Sequence, residues 1–172
     1  MPDLYVGQDK EHANIESALA FCKEGDTIVV LPGRYEESLN VTVPDVTISA
    51  KTKGAVTISS RPGDDAWNTI EILASHVTLQ GLIVEGQSSA SLQRGSNDWT
   101  SCVQVQGTDV IIAGCTLNGS CSIGIKTFEK RTTVQGCDID TGGSAVIALG
   151  GASATIEAVS YTHLTLPTIL RV

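Results

Sequence analysis

Residues 69–86 (TIEILASHVTLQGLIVEG) and 102–119 (CVQVQGTDVIIAGCTLNG) align over eighteen positions without a gap, apolar on apolar and Gly81 on Gly114. The same frame recurs at 124–140 (GIKTFEKRTTVQGCDID), where Gly136 lies 22 residues beyond Gly114, and at 146–159, where Ala158 lies another 22 on. Towards the N-terminus, Leu39, Val41, Val46 and Ile48 match Ile70, Ile72, Val77 and Leu79 at a common offset of 31, the surplus falling in a loop around 61–67. Such self-similarity marks stacked units, because one unit of this size cannot bury its own apolar face.

Short apolar or alternating runs at 27–31, 38–41, 46–49 and 56–59 read as strands, separated by turn sequences such as PG, RPGD and KTKG. The composition agrees: aromatics are 4%, glycine occurs 17 times, and most of the 41% hydrophobic residues are Val, Ile, Leu and Ala. Two or three strands per unit with no crossover helix predict an all-β parallel β-helix, a solenoid of about five coils over residues 27–159. An immunoglobulin-like sandwich has many short strands but no equal-length, in-register repeat. Ahead of the coils, Ile15, Ala18, Leu19 and Cys22 share one helical face over 15–24, between the N-cap Asn14 and Gly25. This helix is expected to cover the first coil, whose strand edge and apolar end would otherwise meet water. Residues 87–101 (QSSASLQRGSNDWTS) are polar and too long for a turn, and are expected to project as a loop. The segment 160–172 (SYTHLTLPTILRV) has no glycine and puts Tyr161 in the column of Ile139. It resembles translated adapter or cloning sequence, so the expectation is one domain over 1–159, truncated in mid-coil, with a non-native tail.

The formal net charge of −8 and a pI near 4.7 argue against nucleic acid or an anionic membrane surface as partner. Met1 is followed by PDLYVGQDKEH rather than a basic and apolar leader, and no run of eighteen apolar residues occurs. A cytoplasmic protein is expected if the chain starts at Met1, and a secreted one if it starts upstream. Five cysteines without CxxC spacing favour neither a disulfide framework nor a zinc site. Cys115 and Cys137 occupy one column of consecutive units and are expected to stack as small interior apolar side chains.

Residues 15–37 (IESALAFCKEGDTIVVLPGRYEE) resemble the entry sequence of the right-handed parallel β-helix proteins of the pectin-lyase-like superfamily. There a capping helix leads to Gly-Asp, a first strand and Pro-Gly-x-Tyr-x-Glu, here Gly33, Tyr35 and Glu37. The coils from 69 to 159 resemble the degenerate repeats of carbohydrate-binding and sugar-hydrolase modules in that superfamily. The resemblance implies a right-handed solenoid with one capping α-helix and structural roles for Gly33, Tyr35 and Glu37. It specifies no reaction, since the group spans pectate lyases, polygalacturonases, pectin esterases, epimerases and non-catalytic modules.

Pectin esterases carry paired aspartates in Gln-Asp and Asp-Phe-Ile-Phe-Gly and an arginine in Gly-Arg-Pro-Trp, and none of these strings is present. Of the polygalacturonase strings only Asp64-Asp65 occurs, in a turn. A lyase would need several carboxylates for calcium and an arginine that takes a proton; Lys130 and Arg131 lie one coil from Asp138 and Asp140, but in turn context. Neither His12 nor His76 has an evident partner, and His163 lies in the tail, so no Ser/His/Asp set is expected. Asp138 and Asp140 flank Ile139 on one strand and can either bind a cation or stand solvated. Asn118 shares a column with Asp140 and is read as structural. Trp67 and Trp99 are loop tryptophans beside charged residues, Arg61, Asp64 and Asp65 near the first and Arg94 and Asp98 near the second, and an exposed indole with such neighbours suits a sugar or peptide ligand.

The expectation is therefore a non-catalytic module that binds carbohydrate or a protein partner. Its candidate ligand residues are Trp67, Arg94, Asp98, Trp99, Asp138 and Asp140; Cys115, Asn118 and Cys137 are structural. No catalytic residue, metal or cofactor is assigned. The alternative is a fragment of a polysaccharide lyase, hydrolase or esterase acting on uronate polymers, with calcium only for the lyase. A third option is an intracellular adaptor module. The oligomeric state is left open.

Overall fold

A computed structural model describes residues 3–61, 66–88, 99–128 and 131–161. Each coil contributes one strand to each of three parallel sheets. Sheet A stacks β1 (Asp3–Val6), β2 (Thr27–Val30), β5 (Thr47–Ala50), β8 (Thr78–Gln80), β11 (Val110–Ala113), β14 (Thr132–Gln135) and β17 (Ala154–Glu157). Sheet B stacks β3 (Gly33–Glu36), β6 (Val56–Ser59), β9 (Ile83–Gly86), β12 (Thr116–Gly119), β15 (Asp138–Asp140) and β18 (Ser160–Tyr161). Sheet C stacks β4 (Leu39–Val41), β7 (Asn68–Ile72), β10 (Ser101–Val105), β13 (Ile123–Thr127) and β16 (Ser144–Ala148).

The hydrogen-bonded register is the frame of the sequence repeat. Leu39 lies against Ile70 and Ile48 against Leu79, as the offset of 31 requires. Ile70 lies against Val103 and Val84 against Leu117 in the ungapped pair of repeats, and Leu117 against Ile139 one period on. Inward side chains consequently form continuous columns: Ile28, Ile48, Leu79, Ile112 and Val134 behind sheet A, and Leu39, Ile70, Val103, Ile125 and Val146 behind sheet C, all buried. Each such residue contributes roughly 1.5–3 kcal/mol on burial, so the stack is held chiefly by these columns.

The N-terminal cap is more elaborate than the sequence indicates. β1 precedes the helix and extends sheet A by one strand, pairing with β2 from Asp3 to Thr27. Helix α1 spans Ile15–Phe21, packs on β1, β2 and β4, and buries Ile15 and Ala18. It stops before the expected residue 24, because Cys22 is extended and the Lys23 amide donates to Asp26 Oδ2 at 2.8 Å. Gly25, at φ 82°, then turns the chain into β2.

At the other end of α1, Asn14 Oδ1 accepts from the Ser17 amide at 2.8 Å. The Glu37 carboxylate, buried just after β3, accepts from the amides of Ile15 (3.0 Å) and Glu16 (2.7 Å). Together these satisfy the amides that open a helix without partners of their own, and a carboxylate there also meets the positive end of the helix dipole. Tyr35 supports the arrangement by donating to Leu31 O at 2.9 Å; burial and the nearby Glu37 charge push its phenol up. Gly33 opens β3, its amide donating to Ala55 O. The Gly33-x-Tyr35-x-Glu37 run is thus the piece that fastens the cap to the first coil.

Ser88 donates its amide to Ser120 Oγ at 3.0 Å where the 87–101 insertion leaves the coils; residues 89–98 lie outside the described residues. Coil pairing continues past residue 159, with Ser160 against Asp138 and Tyr161 against Ile139, and the remainder of 160–172 lies outside the described residues. Among the described residues no helix is long and apolar enough to cross a membrane.

Removing the cap carboxylate leaves two helix-opening amides unpaired, that of Ile15 buried and that of Glu16 partly buried. Glu37→Ala is expected to lower the unfolding free energy in urea by about 2–3 kcal/mol, and Glu37→Gln, which keeps an acceptor, by less. A loss of under ~0.5 kcal/mol for Glu37→Ala would contradict this role.

Candidate functional site

Strand alternation sends one residue of each sheet C strand outward between two buried ones. Asn40, Glu71, Gln104 and Lys126 hold that position on four consecutive coils and lie directly against one another. Rungs about 4.8 Å apart place Glu71 and Lys126 roughly 10 Å from each other, with Gln104 between. Together with Ser38, Trp67 and Asn68 they line a groove of about 440 Å³.

The floor is pre-set by hydrogen bonds. Glu71 Oε1 accepts from Gln104 Nε2 at 2.7 Å and from Gln106 Nε2 at 2.8 Å, which fixes the carboxylate. Lys126 is only 4% exposed and donates from Nζ to the Trp99 carbonyl at 2.9 Å. Burial lowers its pKa, and the Glu71 charge partly offsets that. Trp67 (45% exposed) and Trp99 (39% exposed) stand in the turns that enter β7 and β10. The two turns are tied together through Ser101: its amide donates to Trp67 O at 2.9 Å, and its Oγ donates to Asn68 Oδ1 at 2.6 Å. Leu73 and Phe128 are exposed at the other ends of β7 and β13 and do not line the groove. A polar floor of amide, carboxylate and ammonium groups beside an exposed indole has the chemistry to hold a polyhydroxylated chain.

The structure separates the sequence-expected residues. Trp67 lines this groove and Trp99 touches it through the carbonyl that accepts from Lys126, whereas Arg94 and Asp98 lie outside the described residues, as do Asp64 and Asp65. Asp138 and Asp140 project from β15 on sheet B, a different face; Asp138 Oδ1 accepts from Ser160 Oγ, and Asp140 lies against Asn118. Arg61 pairs with Glu16 at 2.7 Å on the cap, away from the groove. Cys115 and Cys137 are buried on consecutive coils.

One expectation is corrected. His76 does have partners: Nδ1 lies 3.4 Å from Asp45 Oδ1 and Nε2 3.6 Å from Asp109 Oδ2. Arg131 belongs to the same corner, 2.6 Å from Asp109 Oδ2, in the turn that its sequence context indicates. Coil stacking brings together residues 31 and 33 apart in sequence, and inspection of the chain's neighbours along its length misses that. Glu71, Gln104, Gln106 and Lys126 were missed as well, although Glu71 already lies over Gln104 in the aligned repeats. Among the described residues, no group of three or more His, Cys, Asp or Glu side chains is disposed to hold a metal ion.

No family model matches the sequence, and no curated protein matches it. Solved structures do match its fold. A pectin methylesterase from Aspergillus niger superposes with a TM-score of 0.74 at 18% identity, covering 94% of this chain and 57% of that one. Pectin methylesterase PemA from Erwinia chrysanthemi gives 0.74 at 16% identity, covering 91% and 54%. A pectin methylesterase solved in complex with a hexasaccharide gives 0.75 at 16% identity, again covering 91% and 54%. At these identities the likeness establishes architecture: the chain is a right-handed parallel β-helix with the pectin-lyase-like fold. It spans 54–57% of the length of these three structures.

The buried Lys126 gives a signed pH effect. Its folded-state pKa lies below the 10.5 of the unfolded chain, so the unfolded state holds this proton longer as pH rises. The contribution of Lys126 to stability therefore grows from its folded pKa up to about 10.5. Unfolding of the wild type and Lys126→Met in urea across alkaline pH should show the wild type gaining on the variant with rising pH. A pH-independent difference would contradict the desolvated ammonium.

Proposed function

We propose that the outward face of sheet C binds a stretch of uronate-containing polysaccharide, and that the chain is part of a longer pectin-methylesterase-like protein to which these coils supply polymer-binding surface. The observation that carries the reading is the ladder Asn40, Glu71, Gln104 and Lys126 in one groove with the exposed Trp67, next to the turn of the exposed Trp99, whose carbonyl accepts from Lys126 Nζ. The groove runs across coils, so a linear polymer laid along it meets one floor residue per rung. The Lys126 ammonium and the Gln amides offer donors to carboxylate or ester oxygens, Glu71 accepts from hydroxyls, and the indoles offer faces for sugar C–H groups. Two supports come from the fold neighbours, which are pectin methylesterases, one of them solved with a hexasaccharide.

Ester hydrolysis through a carboxylate nucleophile also needs a second group to move the proton. Glu71 is the one carboxylate on the described groove floor, and its Oε1 is already engaged by two amides. The groove is accordingly read as a binding surface, with any catalytic pair supplied elsewhere in a longer chain.

Titration with oligogalacturonides of graded methyl esterification, followed by tryptophan fluorescence, tests this. Saturable quenching or enhancement is expected, with Trp67→Ala and Trp99→Ala each weakening Kd by roughly 3–10-fold, the value of one aromatic contact. Saturable binding that both variants leave unchanged, or no binding by the wild type, would contradict it. Methanol release from methyl-esterified pectin by this chain alone would replace the binding reading with a catalytic one.

A further inference from the structure

Cys102 and Cys121 are fully buried, with their Sγ atoms 3.5 Å apart. They come from consecutive coils, Cys102 in β10 and Cys121 in the turn that enters β13. Cys102 Sγ also contacts Asn118 O at 3.4 Å and Cys121 Sγ contacts Ile123 O at 3.3 Å, so both thiols are held in place. The space they share is kept open by Gly86 of the preceding coil: a Cβ there would come within 2.3 Å of Cys121 Sγ and 3.0 Å of Cys102 Sγ.

We propose that Cys102 and Cys121 are an oxidative modification site, forming a disulfide that staples two coils when the chain folds in the presence of a disulfide oxidant. Closing the sulfurs from 3.5 Å to a bond of about 2.05 Å needs them to approach by only about 1.5 Å. The product is uncharged and apolar, so it suits the dry interior better than a thiolate. The chemistry is thiol–disulfide exchange with oxidised glutathione. The Cys102 thiolate attacks one glutathione sulfur and releases reduced glutathione; the Cys121 thiolate then attacks the mixed disulfide at Cys102 and releases the second. Two thiols lose two protons and two electrons, and one glutathione disulfide becomes two thiols.

Timing follows from burial. The adjacent Cys121 thiol and desolvation push the Cys102 thiol well above its ordinary range, and neither sulfur is open to solvent. Exchange therefore belongs to folding, before the later coil closes over the earlier one, and the finished fold resists it. Once made, the bond closes a loop containing β11 and β12 and restricts the unfolded chain. This inference is independent of the polysaccharide reading.

The test is to refold the full chain from denaturant with a mixture of oxidised and reduced glutathione, alkylate the remaining thiols, and map peptides without reduction by mass spectrometry. The expected result is a Cys102–Cys121 linked peptide, a Tm roughly 5–10 °C above that of protein refolded with dithiothreitol, and no linkage when the same mixture is added to folded protein. In Cys121→Ala the Tm difference between the two refolding conditions should vanish. Recovery of Cys102 and Cys121 as alkylated thiols in the wild type, dominant pairing of either with Cys115 or Cys137, or a linked form no more stable than the reduced one would each overturn the proposal, whether or not the variant folds.

Discussion

From the second coil on, the chain passes from sheet A to sheet B through one residue in the left-handed region, and this corner sets the phase of everything after it. Gly54 (φ 73°), Gly81 (70°), Gly114 (58°) and Gly136 (58°) occupy it on successive coils, with Ala158 (49°) continuing the column. A second left-handed corner, between sheets C and A, is taken by Asp45, His76, Asp109 and Arg131 at φ 57° to 67°. Left-handed backbone costs a side-chain-bearing residue roughly 1–2 kcal/mol, so glycine is favoured where the turn is shortest, while aspartate and histidine tolerate it. Strand phase matters because a one-residue slip would turn Ile70, Val103 and Ile125 outward and drive Glu71, Gln104 and Lys126 into the core. The same corners that keep the apolar columns inside therefore align the polar ladder outside.

A stack of this kind is most vulnerable at its ends, where a sheet edge and a row of apolar side chains have no following coil. Here the first coil carries its own fastening. Glu37 reaches back to the first amides of α1, and β1 lies along β2, so the helix and the extra strand close the N-terminal end as one unit. The corner ladder of Asp45, His76, Asp109 and Arg131 shows a related economy: residues forced into one column by backbone geometry alternate a carboxylate with a nitrogen-bearing side chain and contact one another across coils.

Most of the architecture was legible in the sequence because a parallel β-helix writes its register as a repeat. The offset of Leu39 to Ile70 and the ungapped match of 69–86 with 102–119 are the observed strand pairings. What the repeat does not show is which outward face carries a groove. Asp138 and Asp140 stood out as paired acids on one strand, yet β15 belongs to sheet B, whereas the groove lies on sheet C. Glu71, Gln104 and Lys126 look unremarkable singly, and only stacking makes them a surface. β1 was missed because a four-residue strand ahead of a helix has no repeat partner nearby, and the end of α1 because Asp26 captures an amide that periodicity cannot foresee.

Fold and groove together make a rigid, linear surface whose chemistry changes from rung to rung, as suits recognition of a linear polymer. The most direct test is amide chemical-shift mapping of the isotopically labelled chain during titration with an oligogalacturonide. The account predicts that shifts concentrate at Asn40, Glu71, Gln104 and Lys126 and in the turns carrying Trp67 and Trp99, with the outward faces of sheets A and B unaffected. Shifts centred on Asp138 and Asp140, or on sheet A, would contradict the placement of the site on sheet C.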